Sequence, residues 1–168
     1  MDDLDRRLID LFAAEPRVGV LEASRRLGVA RGTVQARLDR LESSGVVTGY
    51  GPELSPEALG YPVTAFLTLE IRQEMAGGGG HDAVGTHLAE IPEVLEAHTI
   101  TGAGDLMVRV VARSNTDLQR VIDRVLAAPA ITRSSTVIAL ATQVPYRVLP
   151  LAAATAAVRG AGEPVIDT

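Results

Sequence analysis

The hydrophobic period changes once along this chain, and that change constrains its fold more than any other feature. Up to about residue 49 the apolar residues recur at helical spacing; from Pro62 they alternate. Leu4, Leu8, Leu11 and Phe12 fall at i, i+4, i+7 and i+8, one face of a three-turn helix. Asp2, Asp3 and Asp5 sit at its start, where the helix dipole favours negative charge. A second helix is predicted from about Val20 to Leu27, ended by Gly28, and a third from Arg31 to about Ser44, ended by Gly45. Only Gly28, Val29 and Ala30 separate these two, a spacing that predicts a helix-turn-helix. Val46 to Tyr50 reads as a short strand, which makes the module a winged one.

The second half has another rhythm. Val63, Ala65, Leu67, Leu69 and Ile71 alternate with Thr64, Phe66, Thr68 and Glu70. Val84, Leu88 and Ile91 predict a helix, 94–101 a strand, Leu106 to Ala112 a strand, Leu118 to Leu126 a helix and 134–143 a last strand. The order β-α-β-β-α-β is the ferredoxin-like split βαβ arrangement. The fold class is therefore α+β. A helix-turn-helix domain spans 1–50, a linker punctuated by Pro and Gly spans 51–61, a βαββαβ domain spans 62–151, and an Ala/Gly-rich tail spans 152–168.

Charge is unevenly placed. The chain has 168 residues and a net charge of −5, so it is no uniformly basic nucleic-acid binder. Within 16–40, however, six Arg stand against Glu22 and Asp39, while the 117 residues after Gly51 are acidic overall. This asymmetry suits a DNA-contacting head on a body that repels DNA. On a wheel for the third helix, Val34, Leu38 and Leu41 form the core stripe, and Gly32, Thr33, Ala36, Asp39 and Arg40 lie on the other half. Small side chains at Gly32 and Ala36 allow close backbone approach to a groove. Arg31 is placed to read a guanine edge, and Arg37 and Arg40 to meet phosphates. The bland alternative is a solvated basic face.

Other chemistry is poorly supported. There is no Cys, and His81, His87 and His98 lie outside metal-pair spacing, so neither a metal site nor a cofactor is expected. Gly102-Ala103-Gly104 lacks a dinucleotide fingerprint, since Met107 stands where a third Gly belongs and a strand follows. No nucleophile elbow or phosphate loop is present, and no enzyme is expected. No apolar run reaches the roughly 18 residues of a membrane span, and MDDLDRR has no apolar signal core, so a cytoplasmic protein is expected.

Three motifs in order resemble the Lrp/AsnC, or feast/famine, transcriptional regulators. LDRRLIDLF at 4–12 is similar to that family's first helix. Leu27-Gly28-Val29, Thr33-Val34, Arg37, Leu41-Glu42 and Gly45-Val46-Val47 are similar to its helix-turn-helix, and IPEVLEAHTITGAGDLMVRVV at 91–111, with Thr136, to its effector domain. The resemblance runs from about Asp2 to Leu151. It implies double-stranded DNA as partner, with contacts from Arg31, Gly32, Thr33, Gln35, Ala36, Arg37 and Arg40. It implies a homodimer paired through its sheets, assembling further to a tetramer or octamer. It also implies an effector, usually an amino acid, held between dimers by Thr101, Gly102, Ala103, Gly104 and Asp105, faced by Ser134, Ser135 and Thr136. Backbone amides at Gly102 and Gly104 suit a carboxylate, and Asp105 suits an ammonium group; the alternative for TGAGD is a plain turn closed by Asp105. The chain departs from the family pattern at Ala30, which removes a helix cap, at Gln35 and Ala36, at Ala103 and Gly104, and in the Gly77–Gly80 run. The alternative function is a small-molecule-sensing and oligomerisation module with weak or no DNA binding.

Overall fold

A reciprocal pair of hydrogen bonds starts the first helix. The Asp2 carboxylate accepts the Asp5 amide and the Asp5 carboxylate accepts the Asp2 amide, both at 2.9 Å, a capping box. In the computed structural model, which describes residues 1–72 and 80–160, helix α1 runs Asp3–Ala14, α2 Val20–Leu27 and α3 Arg31–Ser43. Leu8, Ala23, Val34, Leu38 and Leu41 form their core, with Phe12, Val20 and Leu27 packed against it. These helices match the predicted ones.

The expected strand at Val46–Tyr50 is absent. The Val46 and Val47 amides both donate back to the Leu41 carbonyl, at 2.9 and 3.1 Å, so the chain after α3 turns on itself and pairs with no strand among the described residues. Tyr50 then lies edge-on to Phe12 at 6.2 Å and donates its hydroxyl to Glu42 at 2.8 Å. Burial, together with the Glu42 carboxylate, pushes the Tyr50 phenol up to about 12.

The second unit, Glu53–Gln143, is a four-stranded antiparallel sheet of order β2-β3-β1-β4. Its elements are β1 Val63–Ile71, α4 Gly80–Ala89, β2 Val94–Thr99, β3 Leu106–Ala112, α5 Asn115–Leu126 and β4 Ile131–Ile138. This is the expected βαββαβ order. Ala65, Leu67 and Leu69 of β1 and Val108 and Val110 of β3 are buried with Val84 and Leu88 of α4 and Leu118, Val121 and Val125 of α5. Both helices therefore cover one face. Thr64, Phe66, Thr68 and Glu70 point to the other, which stays half-exposed. Ser114 caps α5 by accepting the Asp117 amide.

Several boundaries differ from the reading of the sequence: β2 ends at Thr99 rather than 101 and α5 begins at Asn115 rather than Leu118. The last strand starts at Ile131 rather than 134 and ends at Ile138 rather than 143, because Ile71 and Glu70 of β1 pair with Ile131 and Arg133 across a bulge. The Ala-rich stretch after Leu149 forms helix α6, Leu149–Gly160, which belongs to the same compact unit as the head and lies against α1. The run at 77–80 is described only at Gly80, which opens α4; residues 77–79 lie outside the described residues. Among the described residues no helix is long and apolar enough to cross a membrane.

Two outcomes follow for stability. Truncation before Leu149 removes the helix that covers α1. It is expected to lower the unfolding temperature of the head by several degrees and leave the sheet unit's transition in place; calorimetry of the two forms checks this, and superimposable transitions refute it. The raised Tyr50 phenol favours the protonated form in the folded chain. Its contribution is therefore fully present below pH 10, the ordinary value, and is lost as the pH rises toward 12. Tyr50→Phe is expected to remove that alkaline dependence from denaturation curves.

Candidate functional site

Each unit carries one candidate site. In the head the site begins at the turn between α2 and α3. Gly28 takes φ +69°, the left-handed conformation that ends α2, and the Val29 amide donates to the Ser24 carbonyl at 3.1 Å. Ala30 is then the N-cap of α3, and its methyl group offers no side-chain acceptor. Burial of Val34, Leu38 and Leu41 turns Arg31, Gly32, Thr33, Gln35 and Ala36 outward, and all five are exposed. Gln35 donates to Asp39 at 2.7 Å one turn on. Nothing lies within 4 Å of the position a Cβ would take on Gly32, so the backbone there is open to a partner.

Arg37 and Arg40 are placed differently from the other five. The Asp5 carboxylate is fully buried, and both guanidiniums close on it. Arg40 Nη2 lies 2.5 Å from Asp5 Oδ1 and 2.6 Å from Oδ2, and Arg37 Nη1 lies 2.9 Å from Oδ1. Arg37 Nη1 also bonds Asp2. The Arg37 hydrogen bond, and then the Asp5 amide, hold the Asp2 carboxyl below its ordinary range. Arg26 is likewise engaged, by Glu15 at 2.5 Å and Glu22 at 2.9 Å. Among the described residues, Arg7, Arg17 and Arg31 have no carboxylate within 4.0 Å. Reading the sequence missed the role of Asp5. The available signal was its place on the α1 wheel, only 60° from Leu8, where an ionisable residue on the core side requires a partner.

In the sheet unit the TGAGD loop joins β2 to β3. Thr101, Gly102 and Ala103 are exposed, and Gly102 takes φ +111°. Gly104 and Asp105 are half-buried against β1. A Cβ on Gly104 would lie 2.4 Å from Thr68 Cγ2 and 3.2 Å from the Leu69 carbonyl oxygen, so only glycine fits without movement. Asp105 brackets the end of β1. Its amide donates to the Leu69 carbonyl at 2.8 Å, its Oδ2 accepts the Ile71 amide at 2.6 Å, and its carbonyl accepts the Ile100 amide at 3.0 Å. The carboxylate thus ties the loop to the end of β1, and the Asp105 carbonyl closes the turn.

On β4, Ser135 pairs with Thr68, so Gly104 and Ser135 converge on Thr68 from opposite sides of β1. Ser134 and Thr136 pair with Leu69 and Leu67 and turn toward the helix-covered face. Among the described residues Thr101, Gly102 and Ala103 make no hydrogen bond to these three. No group of three or more His, Asp or Glu among the described residues is placed to hold a metal ion.

Comparison with known proteins matches both units. The family model of the AsnC-type helix-turn-helix domain covers residues 1–42, and that of the Lrp/AsnC ligand binding domain covers residues 64–149. The HTH-type transcriptional regulator FL11 of Pyrococcus furiosus is 29% identical over 140 residues, 83% of this chain and 89% of its own. The structure of Escherichia coli AsnC superposes with a TM-score of 0.78 at 26% identity, covering 89% of this chain and 99% of its own. A feast or famine regulatory protein from Mycobacterium tuberculosis, solved as a complex with L-methionine, has a TM-score of 0.73 at 31% identity over 88% of this chain and 97% of its own.

Three variants test this geometry. Gly104→Ala is expected to cost about 1–3 kcal/mol through overpacking. Adding Thr68→Ser removes the clashing methyl group and should recover part of that loss; no recovery would show that the contact at 2.4 Å is not the cause. At low pH, the depressed Asp2 carboxyl means that its contribution is present above 3.8, the ordinary value, and is lost as the pH falls below it. Asp2→Asn is therefore expected to flatten that part of the acid-unfolding profile, measured by circular dichroism.

Proposed function

Because this chain belongs to the Lrp/AsnC family of transcriptional regulators, we propose that it binds double-stranded DNA sequence-specifically and that a small effector, an amino acid, sets its DNA affinity. It acts as a regulator, not an enzyme, and works in the cytoplasm. The observation that carries the reading is the outward face of α3. Arg31, Gly32, Thr33, Gln35 and Ala36 are exposed on the second helix of a helix-turn-helix, with Arg31 free of any intramolecular carboxylate among the described residues. In this role Arg31 reads a guanine edge, Gly32 and Ala36 let the backbone approach, and Thr33 and Gln35 add polar contacts.

A homodimer supplies the second recognition helix. Its interface is the sheet face opposite α4 and α5, where Phe66 and Arg109 are half-exposed and Met107 and Val137 remain 39% and 61% exposed. Two-fold symmetry then places half-sites about 10 bp apart or at multiples of that spacing. Dimers assemble to a tetramer or octamer. The effector sits at the β2–β3 loop, on Thr101 to Asp105 with Ser134, Ser135 and Thr136 across β1. What supports an amino acid is the related M. tuberculosis protein's complex with L-methionine. The left-handed turn at Gly102 also leaves backbone amides able to take a carboxylate. Effector and DNA are coupled through the assembly, by about 1–3 kcal/mol in systems of this kind. A second reading, a sensing module that binds no DNA, is favoured only by the engagement of Arg26, Arg37 and Arg40 with carboxylates.

Two experiments test the proposal. Anisotropy titrations against duplex DNA at several salt concentrations should show binding that weakens steeply with salt, with Arg31→Ala lowering discrimination at one base-pair position. No duplex binding at low salt would leave the sensing module. In a thermal screen against the common amino acids, one at about 100 times its Kd should add roughly 2.7 kcal/mol per site; no shift with any of them removes the amino-acid effector.

A further inference from the structure

We infer that Asp5 is the positioning residue of the recognition helix, and that Arg37 and Arg40 are its anchors and not ligands of DNA phosphate. This rests on the DNA-binding reading and deepens it. A buried carboxylate must be paired or its desolvation goes uncompensated. Asp5 is fully buried, and the groups that satisfy it are the Asp2 amide, Arg37 and Arg40. Residues 37 and 40 are three apart, so both side chains leave α3 on the same side, beside the buried stripe of Val34, Leu38 and Leu41.

The apolar stripe alone leaves α3 free to roll by small angles, because aliphatic contacts have no directional preference. Two guanidiniums converging on one carboxylate do have such a preference, since the N–H bonds of Arg37 Nη1 and Arg40 Nη2 lie in the guanidinium plane and are directional. The clamp therefore sets the roll of α3 and with it the direction of Arg31, Thr33 and Gln35. It also engages two cations that are otherwise within reach of solvent, since Arg40 is 54% exposed and Arg37 26%. A phosphate drawing Arg40 away would leave Asp5 buried beside a single cation. Among the described residues Arg7 and Arg17 have no carboxylate within 4.0 Å and stay available to the DNA backbone, while Arg31 faces the bases.

The test uses the full-length protein and two probes. One is the duplex that the wild-type protein enriches from a random pool; the other is a scrambled duplex of the same composition. Affinities are read across a salt series, with helical circular dichroism confirming that each variant is folded. Arg37→Gln and Arg40→Gln are expected to leave the slope of log K against log salt unchanged. They should reduce the preference for the selected duplex about tenfold, the discrimination of one base contact. Asp5→Asn should reduce the preference equally, and combining it with Arg40→Gln should cost little more, because both break one clamp. A fold defect alone would scale both affinities together and leave the preference intact. If Arg40→Gln unfolds the head, Arg40→Lys, which keeps the charge and loses the planar guanidinium, carries the same expectation of unchanged slope and reduced preference. A slope that falls by about one unit in each arginine variant, with the preference unchanged, overturns the inference and makes both residues phosphate ligands. A wild-type protein that enriches no duplex overturns the DNA-binding reading, and this one with it.

Discussion

The head is organised around one buried carboxylate. Asp5 caps the Asp2 amide in its own helix and receives Arg37 and Arg40 from a helix more than 30 residues further along the chain. Removing a partner is costly because the carboxylate that remains is buried and its desolvation is then less compensated. The N-terminus of α1 and the middle of α3 must therefore stay together wherever the head is folded. Leu8, Ala23, Val34, Leu38 and Leu41 then fill the space between the three helices. The aliphatic core supplies most of the driving force and the clamp supplies direction. In a recognition helix direction is the functional quantity, since base contacts are lost when side chains are aimed elsewhere.

The sheet unit depends on a comparable constraint of smaller scale. Gly104 comes so close to Thr68 that a side chain there would force movement, and Asp105 holds both Leu69 and Ile71 of β1. The loop from Thr101 to Ala103 is thus mounted on two fixed points and exposed beyond them. A rigid base with an accessible tip is a suitable platform for a small ligand. The bulge at Glu70 and Ile71 lies at the same end of β1, where the bracket by Asp105 replaces regular pairing.

Much of this was legible in the residues. The switch from helical to alternating spacing at Pro62 separated the two folds, and Gly28 located the turn between α2 and α3 within a residue. Local patterns carried those signals. The rest depended on partners distant in sequence. Asp5 looked like a charge placed for the helix dipole, because nothing near it in the chain reveals Arg37 and Arg40. Asp105 suited an ammonium group by type, and nothing near it in the chain reveals that its Oδ2 accepts the Ile71 amide. Val46 and Val47 had strand composition without a partner strand. Ile131 to Arg133 joined β4 only because β1 extends to meet them. The Ala-rich stretch gave no amphipathic stripe, yet as α6 it lies against α1 beyond the span of the ligand-binding family model. The family resemblance, carried by three motifs in order, proved the most durable reading, since it drew on the whole chain at once.

The central claim is that Arg37 and Arg40 belong to Asp5, and side-chain NMR of the arginine guanidinium groups tests it most directly. With the clamp in place, the Arg37 and Arg40 Nη protons should give separate, slowly exchanging signals in the free protein. Those signals should persist unshifted when duplex DNA is added, while that of Arg31 changes. Averaged Arg37 and Arg40 signals in the free protein that sharpen and shift only on DNA binding would contradict the account and return both arginines to the phosphate backbone.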